Sequence, residues 1–262
     1  MNFLAFKAFV LEECSDSFSD KVLSNAIFRA IRDAQEECLC SFYTYNLTVS
    51  TATYGTSVRR VPLASVSYSL ESFDYGYSAA TSTGGFPIKQ SVTVQPIYVH
   101  SVFDVTNGDP DGDDSFDLSD KDVIDRGIYS SDDGPFMAVS FDRSSLCLFS
   151  NSDLDNKILR IRCNFVVEYP DTGEIADRNI GDIYLATVPI QVRRYLEAGV
   201  KAYLYRYLAM DLQRDDLKER FAFYKDEWHR KFLPMISQMI TQSQPKGLVY
   251  SPVAPFIIDP KD

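Results

Sequence analysis

Histidine is scarce in this chain of 262 residues, which contains only His100 and His229. Neither has a cysteine, aspartate or serine at a spacing typical of a catalytic triad or a zinc site. The sequence also lacks a Walker A loop, a dinucleotide-binding glycine motif and the G-x-S-x-G motif of serine hydrolases. We therefore expect that the protein is not an enzyme and uses no cofactor.

Long apolar runs and a disulfide framework are missing as well. No apolar run approaches the roughly 18 residues that span a membrane, so we expect no membrane segment. The cysteines are odd in number and have no framework spacing: Cys14, Cys38, Cys40, Cys147 and Cys163. This pattern predicts reduced, mostly buried thiols in a protein made in a cytoplasm.

The net charge of −11 is concentrated in one part of the chain. Residues 101–182 contain 19 acidic and 7 basic residues. A sequence-specific DNA-binding protein usually carries a basic patch, and the sequence shows none beyond a mildly positive C-terminal segment. An acidic surface is compatible with solubility, or with a channel wall along which DNA slides without binding.

Helical periodicity is strong near both ends of the chain. The segment Ser19–Cys40 has apolar residues three and four positions apart, and Ser19 stands at the expected N-cap between Phe18 and Leu23. The segment Phe3–Cys14 predicts a shorter helix. Apolar stripes over Pro189–Thr241 predict a helical hairpin whose arms meet near Arg214.

Between the helical ends the apolar period changes from 3.6 to 2, which predicts strands. The clearest strand is Leu159–Tyr169, where apolar and polar residues alternate. The other candidates are Phe42–Tyr54, Ser65–Leu70, Ser91–Val94, Ile97–Val105, Phe136–Phe141, Leu146–Phe149 and Ile183–Val188.

Together these patterns predict an α+β fold, in which a helical bundle built from both chain ends carries an inserted β-rich domain and an extended C-terminal tail. Residues 1–41 form the N-terminal part of the bundle, and residues 42–188 form the inserted antiparallel domain. Residues 189–242 form the C-terminal hairpin of the bundle, and residues 243–262 form the tail.

One acidic loop has the composition of a calcium site. Oxygen ligands for calcium come from closely spaced carboxylates, which here are Asp109, Asp111, Asp113 and Asp117. The EF-hand pattern then fails, because Asp114 replaces its glycine and no helix precedes the loop. We expect a solvated acidic loop rather than a metal site, with calcium binding as the alternative.

Two further segments have the composition of contact surfaces. Residues 74–87 form a long loop with Tyr75 and Tyr77, which is either a flexible arm that orders on a neighbour or a mobile surface loop. Prolines exclude a helix in the tail, whose apolar residues include Tyr250, Phe256, Ile257 and Ile258. We expect this tail to dock, either on the protein's own core or on a neighbouring subunit by strand addition.

Three features together are typical of one known family. They are a helix that begins near Val22 and contains Ala26–Ile27 and Ala34–Gln35, a β-rich middle, and a late helix that follows Val188–Pro189 and precedes a charged second helix. In these features the chain resembles the head-to-tail adaptor, or connector, proteins of tailed bacteriophages, especially short-tailed and crAss-like phages. The resemblance covers the helical ends and rests on their organisation. The acidic β-rich insert is larger than the small adaptors carry.

The resemblance implies a structural virion protein that assembles in the host cytoplasm as a ring of about twelve copies. The ring would connect the phage portal protein to an adjacent tail protein and let DNA pass without sequence-specific binding. No catalytic residue is implied. On this reading, four outward arginines of the hairpin make salt bridges between proteins: Arg193, Arg194, Arg206 and Arg230. The alternative for each is an ordinary solvated helix face.

A second function remains open from the sequence. The chain could be a monomeric or trimeric adhesin, in which a carbohydrate-binding β domain stands on a helical base. Aromatic side chains on an exposed loop, such as Tyr75 and Tyr77, are typical of glycan and protein contacts. The two functions differ in stoichiometry, because a connector forms a large ring and an adhesin does not.

Overall fold

The computed structural model describes residues 3–12, 14, 18–50, 59–70, 90–108, 115–119, 136–142, 145–168 and 178–243. Within them the protein combines helices and sheets, so the predicted α+β class is confirmed at that level. The strands are β1 (Phe42–Thr48), β2 (Arg60–Pro62), β3 (Val66–Leu70), β4 (Gln90–Asp104), β5 (Asp117–Ser119), β6 (Phe136–Asp142), β7 (Ser145–Ser150) and β8 (Ile158–Val167). The α-helices are α1 (Phe3–Glu12), α2 (Asp20–Cys38), α3 (Arg178–Ala186), α4 (Ile190–Arg193), α5 (Leu196–Arg206), α6 (Lys218–Asp226) and α7 (Leu233–Ser243).

The strands form two sheets of four strands each. The first sheet has the order β1-β8-β4-β3 and is antiparallel throughout. The second has the order β2-β7-β6-β5, and its short β5 runs parallel to β6. Pairing of β1 with β8 places Tyr43 opposite Cys163, although 120 residues separate them in sequence.

Strand β8 joins two hydrophobic cores. Its residues Leu159, Ile161 and Cys163 belong to the core shared by the sheets, whereas Phe165 and Val167 belong to the core that contains the helices. The alternation predicted for this strand is seen in its first half, where Arg162 is exposed. Beyond Cys163 every residue to Val167 is buried, because α2 also packs against this strand.

Helix α2 is the central helix of the helical layer. Ser19 is its N-cap, as predicted, and the Ser19 hydroxyl accepts a hydrogen bond of 3.4 Å from the backbone N–H of Val22. The helix ends at Cys38, and its C-cap is Leu39, whose φ of 49° lies in the left-handed region. Helix α2 packs against both α5 and α7, and residues from both ends of the chain share one hydrophobic core.

The predicted C-terminal hairpin corresponds to two helical arms that turn at Leu212–Arg214. The first arm contains α4, α5 and a π-helical segment at Tyr207–Asp211. The second arm contains a 3₁₀ turn at Asp215–Leu217, α6, a π-helical segment at Glu227–Phe232 and α7. Such segments interrupt the regular helical period, and Met210 at the end of the first arm is 52% exposed.

A buried polar network joins the helical layer to the first sheet. The Gln35 side-chain amide donates hydrogen bonds to the hydroxyls of Ser41 (3.1 Å) and Thr187 (2.9 Å). Its carbonyl oxygen accepts a hydrogen bond of 3.0 Å from the backbone N–H of Val167. The Asn164 amide donates to the backbone oxygens of Leu39 and Ser41. These bonds fix the position of α2 on the sheet, since buried polar groups must be paired.

The strand predicted at Ile183–Val188 was wrong. Most of this segment belongs to α3, which ends at Ala186. A short apolar run has no clear period, and here the helical spacing buries Ile183 and Leu185 and places the Tyr184 ring 4.7 Å from that of Phe28. A Cβ at Gly181 would lie 2.2 Å from the Phe3 ring, so α1 can approach α3 closely only at a glycine.

The strands also differ from the prediction in number and in extent. Ser91–Val94 and Ile97–Val105 were predicted as two strands and form the single strand β4. Its pairing with β8 shifts register between Pro96 and Tyr98, as expected where proline has no N–H to donate. The strand predicted at Phe42–Tyr54 ends at Thr48, and residues 51–54 lie outside the described part. Strands β2 and β5 were missed, because each has only three residues.

Candidate interaction site on the helical face

An open cleft of about 480 Å³ lies between α2 and α5. Its lining residues are Arg29, Arg32, Asp33, Glu36, Tyr203 and Arg206. Three of the six are arginines, which is notable in a chain whose net charge is −11. We refer to these six residues as the arginine cleft.

Helical spacing explains why the residues of α2 share the cleft. Arg29, Arg32, Asp33 and Glu36 lie three, four and seven positions apart, so they project from one face of the helix. The neighbouring positions toward the core, including Ile31, are buried. Burial of that apolar stripe fixes the rotation of α2 and leaves the charged stripe at the surface.

Helix α5 supplies the opposite wall through Tyr203 and Arg206, which are three positions apart. The Arg29 guanidinium lies 5.6 Å from the centre of the Tyr203 ring, within the range of a cation–π contact. On the α2 side, Arg32 Nε lies 2.5 Å from a carboxylate oxygen of Glu36. The cleft therefore contains one internal ion pair and two further guanidinium groups.

Asp33 forms the floor of the cleft and connects three helical segments. One of its carboxylate oxygens accepts hydrogen bonds from the Tyr203 hydroxyl (2.7 Å) and from the Trp228 indole N–H (2.9 Å). Burial raises the pKa of Asp33 above its ordinary value, and these two hydrogen bonds act in the opposite direction. We call these three residues the Asp33 clamp.

The indole of Trp228 also packs against a glycine of α5. The ring is fully buried, and a Cβ at Gly199 would lie 2.7 Å from it. Absence of a side chain at Gly199 therefore lets the indole lie directly on the backbone of α5. This contact and the hydrogen bond to Asp33 together position the indole against α5 and α2.

Arg29 and Arg206 are the residues of the cleft that remain available to a ligand. Both are exposed, and neither forms an ion pair with another residue in the part of the chain that the structure describes. A guanidinium is planar and donates paired hydrogen bonds that match the two oxygens of a carboxylate. The arrangement is therefore suited to binding acidic side chains.

The predicted interface arginines have different surroundings. Arg206 lines the arginine cleft. Arg194 stacks 4.5 Å from the centre of its neighbour's ring, that of Tyr195. Arg230 pairs at 2.8 Å with Asp226 on its own helix and remains 82% exposed. The structure thus brings none of the other three predicted arginines into the cleft.

Arg193 does not lie on an outward face, and this placement corrects the prediction. Its side chain is buried, and Nε donates a hydrogen bond of 2.9 Å to the backbone oxygen of Val188. A second nitrogen of the guanidinium lies 3.4 Å from the backbone oxygen of Ala186. Arg193 therefore pairs the carbonyl group of Ala186, the last residue of α3, and that of Val188, two residues beyond the helix.

Several predicted residues cannot be placed. Asp109, Asp111 and Asp113 of the acidic loop lie outside the described residues, as do Tyr75 and Tyr77. The backbone of Asp117 belongs to β5. The tail residues Tyr250, Phe256, Ile257 and Ile258 also lie outside the described part. Among described residues, no group of three or more His, Cys, Asp or Glu side chains is placed to hold a metal.

The thiols of Cys40 and Cys163 and the rings of His100 and His229 each contact residues of the fold. Burial raises the pKa of Cys40 and of Cys163 to about 12, so both thiols are protonated at neutral pH. Burial lowers the pKa of His100, which lies 2.5 Å from the Asn164 side-chain oxygen. His229 lies 3.6 Å from Glu37 beside the Asp33 clamp.

No protein-family model matches the chain, and no curated protein matches its sequence. Among the described residues, none of the helices has the length and apolar character needed to cross a membrane.

Sequence reasoning found Arg206 and missed the other residues of the cleft. A signal for α2 was present, because Arg29, Arg32 and Glu36 recur on the polar face of a helix that was itself predicted. The bundle of α2 with the hairpin was predicted, but not that Tyr203 and Arg206 face this stripe, since 170 residues separate Tyr203 from Asp33.

Proposed function

We propose that this protein is a structural virion protein that assembles into a ring and connects the portal of a tailed phage to its tail. In this proposal the ring has about twelve copies, as the resemblance implies, and DNA passes through it without sequence-specific binding. The helices of the two chain ends act as one bundle between subunits, and the apolar tail docks on a neighbour.

One observation carries the proposal: opposite charges occupy different parts of the same chain. The arginine cleft is lined by three arginines and two carboxylates, whereas residues 101–182 contain 19 acidic and 7 basic residues. A contact between unlike surfaces of identical subunits is head-to-tail, and repetition of such a contact closes into a ring when the rotation allows it. This charge distribution therefore favours cyclic assembly over a symmetric dimer.

The packing and the buried hydrogen bonds of the helical layer support the same proposal. Helices from both chain ends share a core with Phe165 and Val167 of the first sheet. The Asp33 clamp and the Gln35 network pair buried polar groups across the elements that meet there. A subunit that transmits force through a ring needs such fixed relations between its elements.

Native mass spectrometry tests the proposal with the full chain, alone and mixed with a purified phage portal ring. The expected result is a closed ring, or a ring that forms on the portal with a copy number close to the portal's symmetry. A stable monomer or trimer that ignores the portal would overturn the proposal. If that species also bound glycans, the result would favour the adhesin function instead.

A further inference from the structure

We propose that the arginine cleft is a docking site for the carboxylate side chains of a second copy of this chain. The inference deepens the proposed ring and rests on it, because it assigns the residues that hold one subunit to the next. Arg29 and Arg206 are the groups that bind the neighbour.

The first argument is the arrangement of the two guanidinium groups. Arg29 projects from α2 and Arg206 from α5, and both reach the same open cleft. The Tyr203 ring lies beside Arg29 and restricts its freedom. A partly ordered guanidinium loses less conformational entropy when it binds, so the cleft is preorganised for a ligand.

The second argument concerns which anion fits. Asp33 and Glu36 line the cleft together with the arginines. Fixed carboxylates repel a dense polyanion such as a nucleic-acid backbone. A nucleic acid therefore binds best to a surface that is basic throughout. Single carboxylates pair with individual guanidinium groups and tolerate this mixed lining. An acidic protein surface is therefore favoured over DNA.

The third argument identifies the partner as a second copy. The chain itself carries a net charge of −11, and 19 of its 37 acidic residues lie within residues 101–182. Assembly places many copies at a high local concentration, where complementary charges guide the encounter and fix its register. The cleft belongs to α2 and α5, outside that acidic stretch, so the contact is head-to-tail as a ring requires.

The experiment compares the wild type with the double variant R29A/R206A by sedimentation velocity, with and without the portal. We expect the double variant to associate roughly tenfold or more weakly, because two charge-assisted contacts per interface are lost. The variant K218A is the matched control, since the exposed Lys218 pairs with Asp215 in its own arm of the hairpin, and it should assemble like the wild type. Unchanged fluorescence of Trp228, the single tryptophan, confirms that each variant folds.

A peptide tests the chemistry of the contact. The probe has the sequence of residues 109–114, Asp-Pro-Asp-Gly-Asp-Asp, and its control replaces every aspartate by asparagine. We expect the acidic peptide to bind the wild type and inhibit its assembly, and to bind R29A/R206A weakly. The asparagine peptide should do neither.

The outcomes separate this inference from the proposed function. If the wild type forms rings and R29A/R206A forms them equally well, the cleft inference fails and the ring proposal stands. If the wild type forms no ring with or without the portal, both fail. Binding of duplex DNA that depends on Arg29 and Arg206 would also overturn the inference, because it would assign the cleft to a different ligand.

Discussion

The indole N–H of Trp228 donates a hydrogen bond of 2.9 Å to the Asp33 carboxylate, and the two residues are 195 positions apart in sequence. The Tyr203 hydroxyl donates to the same oxygen at 2.7 Å. This shared acceptor links α2, α5 and the second arm of the hairpin at the arginine cleft, which Asp33 and Tyr203 line. The clamp therefore joins the two helices that carry Arg29 and Arg206.

Replacement of Asp33 should distinguish loss of the acceptor from loss of charge. D33A leaves the Tyr203 hydroxyl and the Trp228 N–H without their partner, and we expect a loss of about 1–3 kcal/mol in the free energy of unfolding. D33N keeps an oxygen that can accept hydrogen bonds and should cost less. Chemical unfolding followed by the fluorescence of Trp228 measures both values.

Equal stability of D33A and D33N would contradict a stabilising role for the hydrogen bonds of the Asp33 clamp. A shift of the emission maximum in D33A to longer wavelength, with little shift in D33N, would indicate that water reaches the indole only when the acceptor is removed. E36A serves as the control, because Glu36 is exposed and its replacement should change stability by about 0.5 kcal/mol or less.

Stability should also depend on pH through Asp33. Burial raises the pKa of its carboxyl above the ordinary value of 3.8, so the folded state retains the proton to a higher pH than the unfolded state. Between pH 3.8 and the raised pKa, the folded protein binds more protons than the unfolded protein, so the free energy of unfolding falls as pH rises through this range. Ionised Asp33 therefore stabilises the folded protein less than protonated Asp33 does.

The variant D33N isolates this contribution. Unfolding free energies measured across a pH series should show a steeper decline for the wild type than for D33N just above pH 3.8. Glu37, whose pKa is also raised by burial, and its neighbours Glu36 and His229 remain in both proteins. Parallel pH profiles for the two proteins would show that Asp33 does not titrate differently on folding.

Gly199 should resist substitution although it lies within a helix. Alanine usually stabilises a helix relative to glycine by about 0.5–1 kcal/mol. Here the added Cβ would lie 2.7–2.9 Å from three atoms of the Trp228 ring, and we expect G199A to destabilise the protein by about 1–3 kcal/mol. Thermal unfolding and the Trp228 emission spectrum provide the measurement.

A double-mutant cycle with W228L attributes the cost of G199A to this contact. If the clash is with the indole, G199A should cost less in the W228L background than in the wild type. The same cost in both backgrounds would mean that the glycine is required for another reason.

Arg193 should be important for stability rather than for assembly. Removal of its guanidinium in R193A leaves the carbonyl groups of Ala186 and Val188 without this donor, and we expect a loss of about 1–3 kcal/mol in the free energy of unfolding. R194A is the matched control, because the neighbouring Arg194 is exposed and its loss should cost about 0.5 kcal/mol or less. Equal effects in the two variants would contradict the buried role of Arg193.

Local patterns predicted the individual elements better than their contacts. Helix α2 and strand β8 were predictable, because each buries one stripe of residues at its own period. The apolar run at Ile183–Val188 was not, since its period is ambiguous and packing against α1 decides in favour of a helix.

The candidate site could be predicted only in part, because it depends on long-range packing. The polar stripe of α2 is visible in the sequence, but the clamp requires Trp228 to reach Asp33 across the hairpin. Arg193 looked exposed from its place beside the apolar stripe, yet the end of α3 lies against it. No local signal could have indicated either contact.

Electron microscopy of the full chain assembled with a purified portal ring would show the proposed assembly itself. We expect closed rings of this protein seated on the portal, with a rotational symmetry near twelve and the arginine cleft of each subunit at the contact with the next. Single subunits or small oligomers that leave the portal bare would contradict the proposed ring.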